Sequence, residues 1–172
     1  MEVHRYEKIW IGISLLVIVG WIATVVFGAV GPGIAMVDDS GGQIADPSNP
    51  TESDAFRDPG VYQVGENEYE VYVLARQFAF QPGTSEPIRV PANSTVTFYV
   101  TSPDVTHGFE VVGTNVNTMV IPGQVAELTV EFDDPGRYGI VCNEYCGSAH
   151  HTMEGTIEVV EQDEVNGTEG DT

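Results

Sequence analysis

The sequence predicts an all-β fold, a Greek-key β-sandwich or barrel, preceded by a single N-terminal transmembrane helix. One long apolar segment lies near the N-terminus, and about a hundred later residues divide into short β-rich segments separated by Gly and Pro turns. Those segments lack the apolar spacing of helices. A chain of 172 residues has room for one domain and its tails.

The apolar segment spans residues 9–37 and contains no charged side chain. It exceeds the roughly 20 residues that a helix needs to cross a bilayer, so we predict a transmembrane anchor in contact with membrane lipid. Arg5 and Lys8 precede the segment and two aspartates follow it. The positive-inside rule therefore places residues 1–8 in the cytoplasm and the later residues outside the plasma membrane. The alternative is a cleaved signal peptide, although its apolar region is usually only about 7–15 residues long.

Two segments beside the β-rich region are predicted to be solvated. Residues 38–60 are rich in Gly, Pro, Ser and Asp and have scarcely any apolar periodicity, which is typical of a flexible linker. Residues 161–172 carry five carboxylates and little that a core could bury, which indicates an acidic disordered tail. The folded domain is therefore expected over residues 61–160.

The β-rich region shows the alternation that a half-buried strand requires. In the clearest strand, Val96, Phe98 and Val100 occupy every second position and are expected to face the core. Turns such as Pro122-Gly123 recur at the spacing of a small antiparallel β-sandwich. The predicted strands cover residues 70–80, 87–90, 95–101, 108–112, 118–121, 126–132, 138–141 and 156–160.

The charge balance excludes some partners. The chain has 26 acidic and 6 basic side chains, a formal net charge of −20, and the few basic residues do not cluster. A nucleic-acid backbone would be repelled, so we expect no nucleic-acid partner. Carboxylates are spread along the chain, which favours the solvated surface of a salt-adapted protein over a single acidic binding patch, with a generic acidic domain as the alternative.

Soft metal ligands are concentrated in one twelve-residue segment near the C-terminal end, which contains Cys142, Cys146, His150 and Met153. Thiolate, imidazole and thioether together are the ligand set of copper electron-transfer sites, whereas zinc would not need the thioether. His107 lies about 35 residues upstream at the start of a predicted strand. A sandwich fold can bring it beside the cysteines.

Other interpretations of these residues stay open. The two cysteines could form a disulfide, as exported cysteine pairs commonly do, although so small a ring would gain little from loop closure. Met153 by itself would most often fill a core, and His107 by itself would most often be a hydrogen-bonded residue. Only one of His150 and His151 is expected to be a ligand, and spacing does not decide between them.

The pattern of the segment is specific to a family. Cys-x-Glu-x-Cys-Gly-x-x-His-x-x-Met over residues 142–153, preceded by Ser-x-Asp-Val-x-His-Gly-Phe over residues 102–109, resembles the binuclear CuA signature of subunit II of the haem–copper cytochrome c oxidases. Connecting segments such as Val90-Pro91-Ala92 are also similar to that family. The single N-terminal span resembles the B-type branch of the oxidases rather than the two-helix form.

The resemblance implies a cupredoxin-like domain that holds two copper ions. In that family pattern the sulfurs of Cys142 and Cys146 bridge both ions, and His107 and His150 each bind one. Met153 and the backbone carbonyl of Glu144 complete the two coordination spheres. The side chain of Glu144 could in addition reach a magnesium ion at the contact with the catalytic subunit.

The implied function is electron transfer in a respiratory terminal oxidase. The subunit would accept electrons from cytochrome c or a small blue-copper protein and pass them to haem in catalytic subunit I, which reduces dioxygen. The span 9–37 contains no histidine that could ligate haem, so this chain alone would carry out no dioxygen chemistry.

Three rival functions remain. A CuA subunit of a nitric oxide reductase would use the same domain with another partner. A membrane-tethered carrier with a single blue copper would need only one cysteine, so the second cysteine counts against it. A zinc-stabilised or disulfide-bonded sandwich without a redox role would leave the methionine unexplained.

Three further residues have two interpretations each. Asp104 could accept a hydrogen bond from a ligand imidazole, or could simply stabilise a turn at a strand end. Phe78 and Phe80 could contribute to an apolar docking surface for the electron donor. Phenylalanines that alternate in a strand face the same side, however, and more often belong to the core.

Overall fold

The computed structural model describes residues 4–30 and 40–162. They form two units, an N-terminal helix and a β-domain. The end of the predicted anchor, the first two residues of the predicted linker and nearly all of the predicted acidic tail lie outside the described residues.

The N-terminal unit is one helix, α1, at Arg5–Val30. The most apolar 18-residue stretch of its segment Arg5–Val26 has a mean hydropathy of 2.5, and none of that stretch is buried by protein. Large apolar side chains such as Leu16 and Trp21 are exposed along it. A helix satisfies its own backbone hydrogen bonds, so this length and composition suit a single crossing of a bilayer.

The β-domain consists of two packed sheets. Ten strands are described: β1 (Gly60–Gly65), β2 (Glu68–Arg76), β3 (Ala79–Gln81), β4 (Ile88–Pro91), β5 (Ser94–Thr101), β6 (His107–Val111), β7 (Asn117–Val120), β8 (Ala126–Phe132), β9 (Gly136–Val141) and β10 (Glu154–Val160). One sheet has the order β1-β2-β5-β8 with β3 paired to β2, and the other has the order β4-β10-β9-β6-β7. This arrangement confirms the predicted all-β sandwich.

The expectation of a wholly antiparallel sandwich is wrong for two pairs of strands. β2 runs parallel to β5, and β4 runs parallel to β10. The cause is the path of the chain, which leaves the first sheet to form β4 in the second sheet and then returns to place β5 beside β2. Alternation within single strands does not report such a crossing, because it indicates only which side chains face inward.

The core lies between the sheets and supports the strand that carries His107. Val96, Phe98 and Val100 are fully buried, as their alternation predicts. The ring centroid of Phe109 on β6 lies 5.5 Å from that of Phe98 and 5.7 Å from that of Phe80. These aromatic contacts hold β6 against the opposite sheet.

The first sheet also differs from the prediction at its beginning. The predicted strand 70–80 is divided, because the chain reverses at Gln77 and Phe78 so that β3 pairs antiparallel with the end of β2. β1 was missed altogether. Among the described strands it pairs with β2 alone, and all of its side chains are exposed or half-buried, so it lacks a strong apolar alternation.

The described part of the predicted linker lies against the domain. We call residues 40–59 the strap. Ile44 and Phe56 of the strap are buried against Tyr72 and Leu74 on the outer face of the first sheet and against Val125, the residue before β8. Ile44 and Phe56 are separated by a segment that contains Pro47 and Pro50 and no large apolar side chain, so they produce no periodic pattern in the sequence.

Candidate metal centre

His107 is the first residue of β6 and is completely buried. The turn before it is fixed by the Ser102 hydroxyl, which donates to the carbonyl of Val105 at 2.6 Å. Asp104 accepts a hydrogen bond from the Val105 amide at 2.6 Å, and its carboxylate oxygen lies 2.8 Å from Nε2 of His107. With Nε2 held in this way, Nδ1 is the nitrogen left to face a metal.

The remaining predicted ligands lie in one loop between β9 and β10, residues 142–153. Its two ends meet where the amide of Cys142 donates to the carbonyl of Met153 at 3.2 Å. Within the loop, the His150 amide donates to the carbonyl of Gly147 and the Met153 amide donates to the carbonyl of His150, both at 3.1 Å. These bonds give the loop a defined shape on a rigid β-scaffold.

The two thiols lie at the centre of the cluster. Both cysteines are buried and free, and their sulfurs are 3.8 Å apart. The Cys142 sulfur lies 3.8 Å from Nδ1 of His107 and 3.1 Å from the carbonyl oxygen of Glu144. Possible ligand atoms of His107 and of the two cysteines all fall within 4.8 Å of one another.

Two further soft ligands lie beside the second thiol. The sulfur of Cys146 is 3.6 Å from Nδ1 of His150 and 3.6 Å from the thioether sulfur of Met153. Met153 is buried, whereas His151 is exposed. The loop thus brings His150 to the thiols and turns His151 towards solvent.

The electrostatics of the site follow from its hydrogen bonds. Burial raises the pKa of Cys142, but hydrogen bonds with His107 and with the Gly108 amide outweigh burial and lower that pKa to about 6. Burial and the neighbouring Cys142 raise the pKa of Cys146 to about 11. In the absence of a metal, the cluster therefore holds one thiolate more readily than two.

The charge of Asp104 extends this network. Burial lowers the pKa of His107, but hydrogen bonds to Cys142 and Asp104 outweigh burial and raise it. Burial raises the pKa of Asp104, and hydrogen bonds from the Gln77 amide and from His107 reverse that effect, so the carboxyl stays ionised more readily than usual. A negative group in contact with the outer nitrogen strengthens the imidazole as a metal ligand.

The donor atoms fit a soft metal. Metal–thiolate bonds are about 2.3 Å long, so two sulfurs 3.8 Å apart can bind the same ion. Thiolates, imidazole nitrogens and a thioether favour copper over hard cations such as magnesium. With the carbonyl of Glu144, the cluster offers more donor groups than the four that one tetrahedral zinc ion requires.

The ligand loop approaches β6 very closely. A Cβ added at Gly108 would lie 2.9 Å from the backbone nitrogen of Asn143, which is too close for any other residue. The Asn143 side chain donates to the carboxylate of Glu110 and to the amide oxygen of Asn117, both at 3.0 Å. Asn143 thus fastens the loop to β6 and β7, a role that no pattern in the sequence indicates.

Gln77 is the second contributor that sequence reasoning missed. Its backbone amide donates to Asp104 at 2.9 Å, and its side-chain amide donates to the carbonyl of Cys146. The only local signal was the polar pair Arg76-Gln77, which interrupts a run of apolar and aromatic residues in the predicted strand.

The other residues considered from sequence lie around the cluster. Phe80 belongs to the core, and Phe78 is half-buried against it. The side chain of Glu144 is half-buried, while its carbonyl faces Cys142. Tyr145 is 78% exposed, with its ring centroid 5.9 Å from that of His150.

Comparison with known proteins identifies the family of the chain. The family model described as cytochrome c oxidase subunit II, periplasmic domain, matches residues 68–160. A cytochrome c oxidase subunit 2 of Thermus thermophilus is 40% identical over 158 residues, which are 91% of this chain and 92% of the relative. Another subunit 2 sequence from Thermus thermophilus is 48% identical over 118 residues, 67% of this chain and 85% of the relative.

Solved structures show the same fold. A chain of a haem–copper terminal oxidase dimer superposes with a TM-score of 0.66 at 33% identity, covering 90% of this chain and 99% of that chain. The periplasmic domain of subunit II of cytochrome oxidase from Bradyrhizobium japonicum superposes with a TM-score of 0.53 at 23% identity, covering 58% of this chain and 88% of that domain. Because the family model matches residues 68–160 and the first Thermus relative is 40% identical over 91% of this chain, the chain belongs to the cytochrome c oxidase subunit II family.

Proposed function

We propose that this chain is the electron-accepting subunit of a respiratory haem–copper oxidase and holds a binuclear CuA centre. The observation that carries the proposal is the pair of free thiols 3.8 Å apart, with His107, Glu144, His150 and Met153 around it. A site for one blue copper would use only one of these sulfurs. The membership of the chain in the subunit II family supports the same conclusion.

Each ligand has a role that its surroundings explain. Cys142 and Cys146 would bridge the two ions, while Nδ1 of His107 and Nδ1 of His150 would each bind one. The thioether of Met153 and the carbonyl of Glu144 would complete the set. Copper held by the two thiolates would supply the acceptance and release of one electron at a time.

The surrounding protein would keep that electron transfer fast. The buried sulfurs and the closed loop exclude water and restrict movement of the ligands. Asp104 fixes the ring of His107, and the aromatic core behind β6 fixes the strand that carries it. A ligand set that barely moves needs little rearrangement when its charge changes.

The partners follow from the function. An electron donor, either cytochrome c or a small blue-copper protein, would deliver electrons on the outer side of the membrane. The haem of catalytic subunit I would receive them and reduce dioxygen there. The dimer that contains a similar chain is a haem–copper terminal oxidase, which supports such a partner subunit. The names of the Thermus relatives favour dioxygen over nitric oxide as the final acceptor.

The remaining expectations belong to this proposal. The chain would be a B-type, single-pass subunit with residues 1–8 in the cytoplasm and the copper domain outside. Its acidic composition would reflect a saline environment. The Glu144 carboxylate would hold magnesium at the contact with subunit I, and metal analysis of the assembled oxidase tests that site directly.

The decisive experiment is copper counting and electron paramagnetic resonance on the full chain, loaded with copper in nonionic detergent. Two coppers per chain and a seven-line hyperfine pattern are expected. Cys146→Ser should abolish that pattern, whereas His151→Ala, at the exposed neighbouring histidine, should preserve it. One copper with a four-line spectrum would replace the proposal with a mononuclear carrier, and no copper in a folded chain would overturn both.

A further inference from the structure

Gln77 lies in the two-residue turn between β2 and β3, where Arg76 pairs with Ala79. It is not a candidate metal ligand, and it is exposed. An exposed glutamine usually tolerates substitution with little effect on stability or function. Two hydrogen bonds of this glutamine, however, lead to residues of the metal cluster or in contact with it.

The turn touches both halves of the cluster. The backbone amide of Gln77 donates to Oδ2 of Asp104 at 2.9 Å, and Oδ1 of the same carboxylate lies 2.8 Å from Nε2 of His107. The side-chain amide of Gln77 donates to the carbonyl of Cys146. One residue therefore connects the strand that bears His107 with the loop that bears the cysteines.

Close packing reinforces this connection. Gly147, the residue after Cys146, has φ of +134°, which favours glycine. A Cβ at Gly147 would lie 2.8 Å from Nε2 of Gln77 and 3.1 Å from the ring of Phe78. The ligand loop thus rests directly on the turn, with no space for a side chain between them.

We propose that Gln77 is a positioning residue for the copper centre, because it fixes the Cys146 loop relative to the Asp104–His107 pair through one side-chain and one backbone hydrogen bond. The side-chain bond requires a donor, since the carbonyl of Cys146 can only accept. The backbone bond persists in any substitution except proline. Substitutions at Gln77 other than proline therefore remove the side-chain hydrogen bond and keep the backbone hydrogen bond.

The inference rests on the proposed copper site, and its test uses the copper-loaded full chain in nonionic detergent. Gln77→Met keeps the length of the side chain but removes its donor, and Gln77→Glu replaces the donor with an acceptor. Gln81→Met, at an exposed glutamine on β3, is the matched control. The measurements are competition for copper with a chelator, the hyperfine spectrum and the reduction potential.

Partners that orient metal ligands typically contribute about 10- to 100-fold in metal affinity. We expect Gln77→Met and Gln77→Glu to weaken copper binding by about tenfold and to shift both the hyperfine splitting and the potential, whereas Gln81→Met should match the unaltered chain. Equal affinity, spectrum and potential in Gln77→Met and Gln81→Met would overturn the inference. Thermal unfolding of the metal-free variants shows whether a variant has lost its fold. If Gln77→Met has lost it, the comparison of Gln77→Glu with Gln81→Met tests the inference instead. Failure of the unaltered chain to bind two coppers would instead contradict the proposed function.

Discussion

Asp104 sets the orientation of the buried His107 ring through one direct contact. The 2.8 Å contact to Nε2 fixes the ring with Nδ1 towards Cys142. We predict that Asp104→Ala lowers copper affinity about 10- to 100-fold, because the imidazole loses both its orientation and a nearby negative charge. Chelator competition measures the change, with Asp133→Ala at an exposed aspartate as the control. Affinities that are the same in both variants would contradict this role.

Tyr72 gives a prediction about pH at the residue scale. Burial, followed by the hydrogen bond that its hydroxyl donates to Glu70 at 3.1 Å, raises the pKa of Tyr72 to about 12. Since the unfolded value is about 10, the neutral phenol stabilises the fold fully below pH 10, and this stabilisation is lost as the pH rises towards 12. Urea unfolding of the metal-free chain at pH 9 and pH 11 should show a smaller loss in Tyr72→Phe than in the unaltered chain. Equal losses would show that other groups cause the alkaline destabilisation.

For individual residues, the sequence predicted the types of metal ligand, because soft side chains in a fixed spacing restrict which metals a site can bind. Spacing left the choice between His150 and His151 open, since that choice depends on how the loop turns, and the resemblance to the family was what indicated His150. The sequence indicated no role for Gln77, because the partner of its side chain lies 69 residues away in the chain. Contacts of that kind exist only after the sheets have packed.

The strap departs further from its predicted state than the other elements do, because the sequence predicts a solvated linker there and the structure packs it against the sheet. Phe56 is 2% exposed, and its ring centroid lies 5.4 Å from that of Tyr72. Truncating a buried phenylalanine typically costs about 3–5 kcal/mol. We predict that Phe56→Ala releases the strap from the outer face of the sheet, so that limited proteolysis cuts residues 40–59 faster while copper stoichiometry stays unchanged. Glu52→Ala, at an exposed strap residue, should leave the cutting rate unaltered, and equal rates in both variants would contradict the prediction.

The strands show why elements are only partly predictable from sequence. β5 was predicted almost in full, since Val96, Phe98 and Val100 alternate and are all buried. β1 was missed because an edge strand with exposed residues needs little apolar alternation. The reversal between β2 and β3 was missed because aromatic and apolar residues continue on both sides of Gln77.

For the whole molecule, sequence reasoning identified the class of fold and the region of the site, but not the order of strands in the sheets. The parallel pairing of β2 with β5 brings the end of β2 beside the turn before His107, which allows Gln77 to contact Asp104. The positions of ligands thus depend on topology, and the patterns within single strands do not determine topology.

The net charge of −20 is a property of the whole chain and leads to the last prediction. Like charges on a compact surface repel one another, and salt shortens the range of that repulsion from about 10 Å at 0.1 M to about 3 Å at 1 M. We predict that the unfolding temperature of the metal-free chain in nonionic detergent rises between 0.1 M and 1 M sodium chloride. A gain of about 1 kcal/mol would correspond to roughly 2–4 °C.

Two comparisons separate charge screening from general effects of solutes on burial. Sucrose, which carries no charge, should give the same increment in the unaltered chain and in a variant with Glu127→Gln and Glu131→Gln on β8. Sodium chloride should stabilise that variant less than the unaltered chain, because two carboxylates of one strand no longer contribute to the repulsion. Equal increments in sodium chloride would mean that the acidic surface does not limit stability at low salt, and the interpretation of the charge as an adaptation to saline surroundings would be wrong.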